Sequence, residues 1–245
     1  MKKMLKALIW KEYHAIFRTP FFYLLMGIFL FILGMTFYNS LSLWQQNPMN
    51  SLSDVVLYPF WGNMTFIFLF ILPLFTMRSV SWEMGNGQFD QLYFSHAKLY
   101  QIVLGKVIGL MMTVLPFLLI SFLFPLLMWW WGVIDLALIL TGGMGVLLNS
   151  LFFISLGIFI SSLTKSSLFA GVITFFAFLF LLMLSNASVM VHDEMILSVL
   201  RFLSPVNHLS AFSRGLIQSF DILYYVSFSA YFLYLSMRRI ELYYE

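Results

Sequence analysis

Six stretches of this 245-residue chain each run for about twenty residues or more with almost no charge, and no other feature constrains its folding as strongly. They cover about residues 21–43, 58–77, 102–130, 136–162, 168–190 and 216–237. A helix needs about 20 mainly apolar residues to cross a bilayer. Inside hydrocarbon every backbone N–H and C=O must be satisfied within the protein, which favours helices for such runs. Composition agrees: 62% of residues are hydrophobic and 9% are charged, against roughly a quarter charged in a soluble domain. The expected fold class is therefore an all-α integral membrane protein with six transmembrane helices, forming a single domain over residues 1–245.

The start of the chain resembles the basic end of a signal peptide. However, Lys11, Glu12, His14 and Arg18 interrupt it before any apolar core begins, and no small-x-small cleavage site follows the first long run. That run reads as a retained span. Lysine and arginine then set the orientation. Lys2, Lys3, Lys6, Lys11 and Arg18 precede the first span. Arg78, Lys98 and Lys106 flank the second connection, Lys165 lies in the fourth, and Arg238 and Arg239 follow the last span. With Arg201 and Arg214 alone on the other side, the positive-inside rule puts both termini in the cytoplasm. Trp44 and Trp129, Trp130 and Trp131 fall at expected outer interfaces, with Trp10 and Trp82 near the inner one.

Three connections carry the polar residues. In residues 1–20, Met4, Leu5, Leu8, Ile9 and Phe17 alternate loosely with basic positions, which favours an amphipathic helix on the inner leaflet over a disordered basic tail. Pro20 turns the chain into the membrane. In residues 78–101, Gly85, Asn86 and Gly87 mark a turn, and Phe89, Leu92 and Tyr93 follow at helical spacing. A short helix with one apolar face can dock in a partner's groove, although a solvated linker fits the same residues. In residues 191–215, polar residues such as His192, Asp193, Arg201, His208 and Arg214 are spread among apolar ones and Pro205 divides the segment. This suggests a pair of short helices dipping into the outer leaflet. His192 beside Asp193 and Glu194 lacks the H-E-x-x-H spacing of a metal site, and a solvated loop is the better reading.

Several functions are disfavoured. There is no cysteine, hence no disulfide, thiolate metal site or cysteine nucleophile. No cationic residue lies deep in a span, which argues against an ion-coupled carrier. Gly105-Lys106 lacks the earlier glycine of a P-loop, so any ATPase must be another chain. Gly105 and Gly109 have the Gly-x-x-x-Gly spacing that permits close helix packing, a pattern common by chance.

At the second connection the sequence resembles the permease subunit of type-2 ABC transporters. That family shows a loop of the form E-x-x-x-G-T-x-E-x-L-x-x-x-P followed by I-V-x-G-K. Glu83, Gly87 and Leu92 match the first part; Gln88, Asp90 and His96 replace its threonine, second glutamate and proline. Ile102, Val103, Gly105 and Lys106 match the second part. The stretch from His208 through Arg214 and Gly215, with the charged end from Arg238 to Glu241, is similar to the gliding-motility and nitrous-oxide-reductase-maturation branch.

The resemblance implies a bacterial inner-membrane exporter subunit with no catalytic site and no cofactor of its own. ATP and Mg would be held by a pair of cytoplasmic P-loop ATPase subunits. A second permease, identical or related, would complete the membrane part, with room for an accessory protein on the outer side and no role for nucleic acid. Glu83, Gly85, Gly87, Phe89, Asp90, Leu92, Tyr93 and His96 would form the coupling helix. Trp10, Lys11, Glu12 and Arg18 would belong to the interfacial helix, and Gly105 and Lys106 would start span three. The alternative is a non-transporting membrane scaffold or assembly factor.

Overall fold

The computed structural model describes residues 2–46, 51–93, 98–130, 136–187 and 193–244, and every regular element among them is helical. Helix α1 (Lys2–Phe17) is followed by α2 (Pro20–Gln46), a π-helical turn (Ser53–Leu57) and α3 (Tyr58–Thr76). Two short helices, α4 (Ser81–Gly85) and α5 (Gln88–Tyr93), lead to α6 (Leu99–Ser121) and α7 (Leu123–Trp130). The long α8 (Leu136–Leu163) and α9 (Ser167–Ala187) come next, then the short α10 (Glu194–Leu203) and α11 (Pro205–Ser213), and finally α12 (Ser219–Tyr244).

Five of these segments are long and apolar enough to cross a membrane, or six if the pair α10 and α11, bent by 73°, is taken as one span. Helix α12, where the sequence places the sixth span, is not among the five. It has 26 residues, enough for about 39 Å of helix, but it carries Asp221 in its first turn and Arg238, Arg239 and Glu241 near its end. The run expected as one continuous third span is divided at Phe122. Pro125 explains the break: it has no N–H to give the Ser121 carbonyl, so the ladder is interrupted there.

The helices pack through aromatic rings. Phe117 of α6 meets Phe22 and Phe29 of α2 edge-on at 5.3 and 5.2 Å, and Phe29 stacks on Phe68 of α3 at 5.5 Å. Phe152 of α8 lies among Tyr224, Tyr225, Phe228 and Phe232 of α12. These contacts make α8 the central helix, and its small residues permit that position. A Cβ at Gly157 would lie 2.5 Å from the Thr76 hydroxyl of α3, so only glycine allows the two helices to approach so closely.

The bundle has two distinct ends. At one end, the Tyr244 ring at the close of α12 stacks on Tyr93 of α5 at 4.1 Å, and its hydroxyl donates to Asp90. The Lys165 ammonium in the α8–α9 turn lies 4.7 Å over Tyr243, and the Lys165 carbonyl abuts Gly85 of α4. Helix α1 joins this end through ion pairs to α4 and α6. At the other end, Ser185 near the close of α9 donates to Asn207 of α11, and the Arg214 guanidinium lies 5.3 Å over Tyr58 at the start of α3. The chain's first and last described helices therefore meet at the same end.

Candidate functional site

The sequence-selected residues of α1, the second connection and α6 converge on one ammonium. Helix α1 can lie against α6 because α6 presents Gly105 and Gly109 to it. A Cβ at Gly105 would be 2.9 Å from Leu8 Cβ, and one at Gly109 would be 2.6 Å from Glu12 Cβ. The Gly-x-x-x-Gly spacing, which carried little weight in the sequence, is the seat of α1. Lys106 projects between the two glycines' levels and its side chain is 3% exposed. Its Nζ donates to Glu12 Oε1 at 2.5 Å, Glu83 Oε2 at 2.7 Å and the Ser79 carbonyl at 2.5 Å. All three ammonium donors are used. Lys11, with a half-exposed side chain, donates to Glu83 Oε1 at 2.6 Å. Two lysines and two glutamates thus form a neutral chain joining α1, α4 and α6, which offsets the cost of taking the charges out of water.

Ser161 of α8 holds the junction between α3 and α4. Its Oγ accepts from the Val80 and Ser81 backbone N–H groups at 3.2 and 2.9 Å and donates to the Met77 carbonyl at 3.3 Å. Those amides open α4 and have no helical partner. No motif marked Ser161 in the sequence, since a serine in an apolar run carries no sign of what it caps.

Beyond α4 the chain reverses at Asn86 and Gly87. Gly87 has φ +68°, a left-handed conformation that glycine adopts without a Cβ clash. Helix α5 then turns the face of Phe89, Leu92 and Tyr93 inward. Phe89 is fully buried, Tyr93 is stacked under Tyr244, and Leu92 packs partly buried against the core. The residues left outside on this connection include Trp82, Asn86, Gln88 and Asp90. Its apolar face covers the chain's own core, so a partner would meet the polar turn. His96 lies outside the described residues, as do Trp131 and His192. Trp10 and Arg18 are exposed on and just beyond α1, and Trp10 meets His14 edge-on at 4.9 Å.

His208 occupies a separate buried cluster at the opposite end. Its Nδ1 lies 2.6 Å from Asp221 Oδ1 and its Nε2 lies 3.0 Å from the Phe202 carbonyl. The Phe202 carbonyl can only accept, so Nε2 donates to it, and Nδ1 shares a proton with the Asp221 carboxyl. Tyr224 stacks on it at 3.9 Å and donates to the Leu203 carbonyl. Asp221 was missed in the sequence because it lies 13 residues away across a turn; Gly215, with φ +82°, makes that turn. Among the described residues, no group of three or more metal-ligating side chains occurs.

A multi-helix membrane domain with an ion-paired helical connection at one end is the class of protein these observations define. The family model for ABC-2 type transporters matches residues 3–220, and the chain belongs to that family. Its members are transmembrane permeases of ABC transporters, generally non-catalytic, with the ATPase in a partner. No curated protein matches the chain.

Proposed function

We propose that this chain couples ATP hydrolysis in a separate pair of cytoplasmic ATPase subunits to export or extrusion of a cargo across a bacterial inner membrane. The observation that carries this reading is the ion chain Lys11–Glu83–Lys106–Glu12, which ties the loop helices to α1 and to the start of a span. A displacement of the turn from Trp82 to Asp90 by an ATPase would reach the membrane through three connected helices. Helix α6 runs from Leu99 to Ser121 with Pro116 inside it, so a push at its start is carried along the hydrogen-bonded turns that precede this proline.

In this reading α12 is the sixth span, α10 and α11 form a re-entrant outer pair, and the end holding both termini faces the cytoplasm, where eleven of the thirteen lysines and arginines lie. A second permease, identical or related, completes the pathway. The His208–Gly215 stretch and the charged end of α12 support placement in the gliding-motility and nitrous-oxide-reductase-maturation branch.

The test is purification of the tagged chain in mild detergent, followed by mass spectrometry and an ATPase assay. A stoichiometric P-loop ATPase, released by Asn86→Trp combined with Gln88→Asp on the exposed turn, is the expected outcome. A chain that purifies alone under conditions that preserve other transporter complexes would favour the non-transporting scaffold.

A further inference from the structure

We infer that the cavity between α1, the end of α3 and α4 seats the headgroup of an anionic phospholipid. The cavity has a volume of about 570 Å³. Its charged lining is Lys11, Glu12, Arg78 and Glu83, with Lys106 behind the two carboxylates. Glu12 and Glu83 are already engaged by Lys106 and Lys11. Three cations against two carboxylates leave one positive charge uncompensated.

That charge is Arg78. Its guanidinium lies 5.8 Å over the Trp82 ring, and among the described residues it has no carboxylate in ion-pair reach. A guanidinium lying over an indole keeps its planar fork of donors free for two phosphate oxygens. Lys11 spends one of its three N–H groups on Glu83 and is half exposed, so it can bond the same phosphate from the α1 side.

The remaining walls decide what the phosphate belongs to. Phe21, Leu74 and Phe75 line the cavity where α2 begins and α3 ends, the level at which acyl chains start. A free phosphate gains nothing from such a surface, whereas a phospholipid places its glycerol and first methylenes against it. A headgroup held by Arg78 and Lys11 braces α1 against α4 beside the ion chain, so lipid composition sets how firmly the coupling connection is held. This inference rests on placing this end of the bundle at the cytoplasmic leaflet.

Native mass spectrometry of the purified chain, with no ATPase present, tests it using phosphatidylglycerol and phosphatidylcholine as probes. Arg78→Gln is expected to lower phosphatidylglycerol binding roughly five-fold without changing phosphatidylcholine binding. Arg78→Lys, which keeps the charge and loses the fork, should fall between wild type and Arg78→Gln, and Lys3→Gln with Lys6→Gln, outside the cavity, should bind as wild type. Equal melting temperatures establish that the variants are folded. The inference is overturned if Arg78→Gln binds phosphatidylglycerol normally, or if the tail variant loses as much. Complete displacement of the lipid by millimolar glycerophosphate overturns it as well, because the site would then read phosphate alone. The measurement needs no ATPase, so its failure is distinct from failure of the transporter reading, which shows as a chain without an ATPase partner.

Discussion

Replacing Lys106 by methionine leaves Glu12 and Glu83 facing one another in a nearly closed site, with the Ser79 carbonyl unpaired. Breaking a buried ion pair from one side costs roughly 3–5 kcal/mol. Lys106→Met is therefore expected to lower the melting temperature of the detergent-purified chain sharply. Adding Glu12→Gln and Glu83→Gln should restore much of the loss, because no charge is then stranded. A single variant as stable as wild type would show that the ion chain holds nothing. The same reasoning applies to His208. A phenylalanine there fills similar space but leaves Asp221 buried, with its Oδ2 already lacking a partner. An unsatisfied buried group costs about 1–3 kcal/mol and more when charged. His208→Phe should destabilise the chain, and Asp221→Asn in the same background should recover part of that, as read by thermal unfolding.

The short elements depend on small residues of their neighbours. Ser161 on α8 supplies the cap that α4 lacks in its own sequence, so Ser161→Ala should cost about 1–2 kcal/mol and loosen the connection between α3 and α4. Hydrogen exchange at Val80 and Ser81 is the direct measure, and unchanged protection there would exclude the capping role. Gly109→Leu would force α1 off α6 at Glu12, and limited proteolysis should then cut α1 faster than in the wild-type chain. The spans themselves were legible in the sequence because an apolar run of spanning length has few other uses. The pairing of α1 with α6 was not. The glycine spacing was visible, but nothing local named Leu8 and Glu12 as its partners. The apolar face of α5 was legible as a periodicity while its direction was not, because Tyr244, which helps cover it, lies some 150 residues further along the chain.

At the scale of the whole molecule the open quantity is the number of crossings, and geometry limits it. Helices of 10 and 9 residues in α10 and α11 have lengths of about 15 and 13 Å. Bent by 73° at Ser204, they cannot together cross a hydrocarbon core about 30 Å thick. The close of α9 and the start of α12 both touch α11, through Ser185 on Asn207 and Asp221 on His208, so the chain enters and leaves this pair at the same end. Helix α12 then runs back beside α8 and delivers Tyr244 to α5. Six crossings and two termini on one side follow if α12 spans. The absence of native cysteine makes this directly measurable with single-cysteine variants and a membrane-impermeant thiol reagent. Lys3→Cys and Glu241→Cys should both resist labelling in intact cells and react once the membrane is opened, while Glu194→Cys should react from outside. Labelling of Glu241→Cys in intact cells would mean an odd number of crossings, with α12 and the α10–α11 pair either both spanning or neither. The contact between Tyr244 and Asp90 could not then exist, and the connection from Trp82 to Asp90 would lose the C-terminal support on which its coupling role depends.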